Sequence, residues 1–261
     1  MSTLLDPKDR SARGAALQEK IYGQPAPAPE TPFQESIRDF VYAEVWNRPG
    51  LDLRARFLIG IAGAALCRFP ESTIEGTIAG ALRTGELTLA EVREAALHMC
   101  LYGGWGTGDL IDKAATRAAA SLGLPSADCP PIRAEPWDPA VRTAEGQAEF
   151  TKVMTFPGGP SATPFLEAIN NFVFGEMWCR RGLDERSRRW LTLVGVAQSG
   201  ADIPIKSHFH SAMASGNCTG EELHEFVLAY GLCAGWPKAS QIQGIVWEMI
   251  KNFEAGLPWS G

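Results

Sequence analysis

Apolar residues recur three and four positions apart through most of this chain, and nowhere do they alternate for long. Over PFQESIRDFVYAEVW (32–46) that spacing predicts an amphipathic helix, with Thr31 as its N-cap and Pro32 in its first turn. The stretch DLRARFLIGIAGAALCR (52–68) begins at a capping Asp52 and is then apolar on most faces, which predicts a buried central helix. Thr88 with Glu91, and Thr219 with Glu222, carry the spacing of a capping box. With no sustained period of two, the expected fold class is all-α.

The pattern is written twice. Residues 31–56 and 163–188 agree at 15 of 26 positions, where ordinary composition predicts roughly one or two. Downstream the offset falls from 132 to 131, and LTLAEVREAALHMCLYGGW (87–105) matches CTGEELHEFVLAYGLCAGW (218–236). Gly14 and Lys20 match Gly146 and Lys152 at the first offset. The expected organisation is therefore two helical repeats, 14–124 and 146–256, of about six helices each, joined by a proline-rich linker over 125–141. Such copies can pair across a pseudo-twofold axis, making the chain an intrachain pseudo-dimer.

Composition narrows the functional classes. A formal charge of −6 and a pI near 5.3 provide no basic field for nucleic acid or anionic lipid. The longest apolar run, FLIGIAGAALC, is too short for a bilayer, and MSTLLDPKDR has charges where a signal peptide needs an apolar core. A cytoplasmic protein is expected. The six cysteines form no C-x-x-C pair and no zinc-spaced cluster with histidine, and most read as buried small hydrophobes.

Each repeat resembles the carboxymuconolactone decarboxylase family, which shares its all-α fold with the AhpD-type alkylhydroperoxidases. The resemblance rests on E-x-W-x-R-x-G-L-D-x-R-x-R at 44–56 and 176–188 and on A-x-x-x-G-x-x-T at 81–88 and 212–219. It continues through E-[VL]-x-E-x-x-L and G-W-[GP], covering 31–122 and 163–254. It implies a cofactor-independent decarboxylase, or a related proton-transfer lyase or isomerase, acting on a small cyclic or lactone carboxylic acid like 4-carboxymuconolactone. Single-repeat members form hexameric rings, so three of these chains would give a homotrimeric pseudo-hexamer. The peroxidase branch uses a C-x-x-C pair near the start of the helix that holds His208. This chain has Asp202-Ile-Pro-Ile-Lys206 there, and Phe69-Pro-Glu-Ser-Thr73 in the first repeat, which disfavours a thiol-dependent antioxidant. A non-enzymatic helical binding module is the remaining alternative. The chain also lacks the glutamate that members usually carry before the histidine.

Decarboxylation requires a grip on the carboxylate, stabilisation of the charge left behind, and a proton for carbon. His208 is the candidate proton carrier, and the matching position in the first repeat is Thr77. Glu176, beside Trp178, is a candidate acid because a carboxyl against an indole tends to stay protonated; the competing reading is an ion pair with Arg186 or Arg188. Arg188 is grouped with the catalytic residues and Arg186 with substrate binding, one of the two being expected to pair internally. Trp178, Ser211 on the face of His208, and Trp236 complete the expected substrate-binding set. Trp46 or Arg56 are expected to complete the site from the first repeat.

Overall fold

The computed structural model describes residues 6–132 and 138–260, and among these every regular element is helical. The first six elements are α1 (Pro7–Tyr22), α2 (Pro32–Ser36), which runs directly into a π-helical segment (Ile37–Trp46), α3 (Leu53–Leu66), α4 (Glu71–Arg83), α5 (Leu89–Gly103) and α6 (Trp105–Ser121). The same order then recurs as α7 (Pro139–Met154), α8 (Pro164–Ala168) with a second π segment (Ile169–Trp178), α9 (Glu185–Ser199), α10 (Asp202–Ala214), α11 (Gly220–Ala234) and α12 (Trp236–Glu254). Part of the expected linker, 133–137, lies outside the described residues, and α7 begins inside the expected linker span at Pro139. No described helix is long and apolar enough to cross a membrane.

The expected start signals operate at the atomic level. Thr31 accepts from the Gln34 N–H, Asp52 from Ala55 at 2.6 Å, and both capping boxes close in both directions. The π-helical geometry of the second helices is not legible in their spacing. It coincides with a close crossing: Gly14 of α1 lies against the Arg38 carbonyl, and Gly146 of α7 against the Asn170 carbonyl, with no room for a Cβ at either place.

α3 and α9 form the middle of one continuous core, where Phe57, Ile59 and Ile61 meet Trp190, Leu191 and Leu193, all at most 1% exposed. α9 also packs on α5, and α3 on α11, so elements from early and late in the chain interleave. Two charged clusters cross the same seam. Glu94 on α5 accepts from Arg180 at 2.5 Å and from Arg188 at 3.2 Å, while Arg188 also donates to the Arg180 carbonyl. In the counterpart, Glu225 on α11 accepts from Arg48 at 2.7 Å and lies 3.6 Å from Arg56. Burial works to raise both carboxylates, but the paired arginines hold each below the ordinary glutamate value.

Removing one partner from a buried charge cluster strands the others, typically at about 3–5 kcal/mol. Glu94→Ala, whose side chain is 1% exposed, is expected to cost about that much in denaturant unfolding. Glu225→Ala, at 13% exposure, is expected to cost measurably less.

Candidate functional site

α10 carries His208 on its buried face, where the ring lines a cavity of about 520 Å³ between α7, the second π segment, α9 and α10. The wall is largely aromatic and aliphatic, and it includes Phe150, Phe156, Phe174, Ile169, Val173 and Trp259. Leu101 and Tyr102 reach it from α5. Tyr102 packs its Cβ over Gly195 of α9, and its hydroxyl accepts from Trp178 Nε1 at 3.1 Å. The first-half contribution is thus Leu101 and Tyr102. Trp46 and Arg56 line a separate cavity of about 580 Å³ around Thr77, because α5, not α3, faces this side of α9.

Behind His208 lies Arg189, fully buried and overlooked in the sequence reading. Its Nη1 is 3.5 Å from His208 Nδ1, its Nη2 donates to the Val153 carbonyl at 2.7 Å, and its Nε donates to Asn217 Oδ1 at 3.3 Å. The guanidinium also sits over the Trp178 ring, 5.3 Å from its centre. No carboxylate among the described residues is in salt-bridge range of it. The charge is tolerated because Val153 ends α7, where the last carbonyls gather partial negative charge. A comparison of the two matching stretches would have exposed this residue: Arg189 stands where the first half has Phe57.

Burial and then the Arg189 charge push His208 down to about 3. A guanidinium can only donate, so the neutral ring accepts at Nδ1 and carries its proton on Nε2. Among the described residues Nε2 has no hydrogen-bond partner. The resulting unit is an N–H donor at the edge of an apolar cavity, backed by a buried positive charge. It suits an incoming or developing oxyanion.

The other expected residues disperse. Arg188 belongs to the Glu94 cluster, and Arg186 grips Glu222 at 2.6 Å and the Asn217 carbonyl; neither lines the His208 cavity. Glu176 faces neither arginine of the 186–188 pair: its partner is Arg142 on α7, in a separate groove, and the first half repeats the arrangement with Arg10 and Glu44 at 3.0 Å. Ser211 is fully buried and donates to the Met154 carbonyl at 2.5 Å, so it caps α7. Trp178 stands one layer behind the cavity, stacked on Phe174 and edge-on to His98. Trp236 is 52% exposed, packs edge-on against Phe40 and lines neither cavity. His98 is buried on the seam, bonded to Thr192 at 2.8 Å.

Burial raises the thiols of Cys67, Cys100, Cys179, Cys218 and Cys233, the last two to about 12, the opposite of an activated nucleophile. Among the described residues no group of three or more His, Cys, Asp or Glu side chains is placed to hold a metal ion.

The His208 environment has a measurable signature. Unfolded histidine takes a proton near 6.5, but folded His208 does so only near 3, so the unfolded state binds more protons in between. Stability is therefore expected to fall as pH drops from about 6.5 toward 3, with this residue contributing up to about 1.4 kcal/mol per pH unit. His208→Gln should flatten that acid limb in unfolding experiments, and the wild-type imidazole should show no NMR titration between pH 5 and 8.

No family model matches the chain. Over 88 residues, 34% of this chain, it is 28% identical to 4-carboxymuconolactone decarboxylase of Acinetobacter baylyi. The match spans 65% of that relative's length. This similarity supports a decarboxylase-like family, on an all-α scaffold.

Proposed function

We propose that the chain is a cofactor-independent decarboxylase, or a related proton-transfer lyase or isomerase, acting on a cyclic or lactone carboxylic acid in the His208 cavity. The observation that carries this reading is a buried imidazole that lines an apolar cavity while its Nδ1 lies 3.5 Å from the buried Arg189. We read the chain further as two fused repeats in a pseudo-dimer, supported by the recurring element order and by the paired Arg–Glu clusters across the seam. The homotrimer belongs to the same reading, and Trp105, Trp236 and Trp247, each more than half exposed, supply apolar surface for it.

In this mechanism the substrate carboxylate brings a negative charge against His208 and opposes the influence of Arg189, and proton uptake at Nδ1, which gives up the 3.5 Å contact with Arg189, forms the imidazolium. The carbon–carbon bond to the carboxylate breaks, CO2 departs, and its electron pair moves into the conjugated carbonyl system as an enolate. The ring N–H and the Arg189 charge behind it stabilise that oxyanion. The enolate carbon then takes the proton from His208, which returns to the neutral form and recovers its proton from solvent. Carboxylate and imidazolium go in; CO2, the protonated carbon acid and neutral imidazole come out.

The test is CO2 release from a panel of lactone and β-keto acids by the full chain. His208→Gln is expected to lower kcat by about 10²–10⁴, the usual range for a positioned acid, with the melting temperature little changed. Wild-type turnover in that variant, or no CO2 from any acid in the panel, would overturn the proposal.

A further inference from the structure

We infer that the ligand of the His208 cavity is a monoanion with an extended, flat apolar body of at least two fused rings, rather than a small polar diacid; this rests on the proposed site. A cavity of about 150 Å³ suffices for one benzene ring. The space beside His208 is about 520 Å³, within the range that encloses drug-sized ligands. A single small lactone would leave most of it unfilled.

The wall argues for aromatic contents. Phe150 meets Phe174 and Phe156 edge-to-face, at 4.7 and 5.7 Å between ring centres, and Phe156 meets Trp259 at 6.0 Å. Such a box presents ring faces and edges, which pair favourably with another flat ring. Phe150 and Phe156 stand where the first half has Gln18 and Gln24, while the first-half cavity takes its aromatic lining from Tyr22, Phe33, Tyr42, Trp46 and Phe69 instead.

Charge sets the anion count. Among the described residues no Asp, Glu, Lys or Arg lines this cavity; Arg189 lies behind His208, and the Lys238 ammonium lies near Gly200, between the lining residues Ser199 and Ala201. Ser207 donates to the Pro204 carbonyl, Ser199 to the Val196 carbonyl, and the Tyr102 hydroxyl accepts from Trp178. A first carboxylate has His208 and Arg189 to answer it. A second, at the far end among phenylalanines, would be stripped of water with no counter-charge.

Isothermal calorimetry on the full chain tests this with 2-naphthoate, benzoate, 2-naphthamide, naphthalene-2,6-dicarboxylate and cis,cis-muconate. Expected is binding of 2-naphthoate about tenfold or more tighter than each of the others. Trp259→Ala, near the described end of the chain, should erase the preference for naphthoate over benzoate. Arg189→Met should erase the preference for naphthoate over the amide; if that variant does not fold, the wild-type acid–amide comparison decides the point. Tighter binding of muconate or the naphthalene diacid, no binding of naphthoate, or an unchanged naphthoate preference in Trp259→Ala would each overturn the inference. Naphthoate binding with no CO2 release from any acid would sink the decarboxylase reading alone. CO2 release from a small diacid with naphthoate excluded would sink this inference alone.

Discussion

A carboxylate that is 1% exposed stays ionised only if cations come to it, and both cations of Glu94 arrive from helical and loop segments 86 and 94 residues further along the chain. The mirror cluster at Glu225 makes the same demand in the opposite direction. Neither charged set is satisfied within its own half, so the buried seam forms with both halves in place or not at all. That constraint seats α5 across α9, and with it the Tyr102 side chain that closes the cavity beside His208. The residues most visibly shared by the two stretches therefore build the frame, and the His208 cavity draws on positions where they differ.

Those differences form one electrostatic device. In the first half the end of α1 is met by Arg83, whose Nη1 donates to the Ile21 carbonyl at 2.7 Å. In the second half the corresponding carbonyl, Val153, takes its hydrogen bond from Arg189, deep in the core and next to the imidazole. Moving the helix-capping cation from α4's surface to α9's interior satisfies the same backbone group. It also brings an uncompensated positive charge to a cavity, which the helix end, Asn217 and the Trp178 face make tolerable.

Much of this was readable beforehand. Helix starts follow from Thr31, Asp52, Thr88 and Thr219, because a cap is a local bond between a side chain and a backbone N–H two or three residues away. His208 stood out because the matching position, Thr77, has no group that titrates near neutral pH. Arg189 escaped because three arginines within four residues look like a solvated face, although Phe57 at the matching place marks it as an interior position. Glu176 was placed beside the wrong arginines: its partner Arg142 lies 34 residues upstream on α7, a tertiary contact with no local spacing to betray it. Trp236 looked like a wall residue from its glycine neighbours, but the turn at Gly235, with φ of 81°, directs the chain into α12 along the surface. The π segments coincide with the carbonyls pressed against Gly14 and Gly146, contacts between separate helices that no local spacing reveals.

Phe57 packs edge-to-face on Trp46 at 5.1 Å, while its counterpart Arg189 lies over Trp178. In an assembly of identical chains, any substitution is imposed on every equivalent position at once, so a destabilising change is multiplied by the symmetry. With both versions on one polypeptide, the hydrocarbon ring keeps consolidating one side and the guanidinium burdens only the other. Stability on one side and the buried charge on the other can thereby be altered independently.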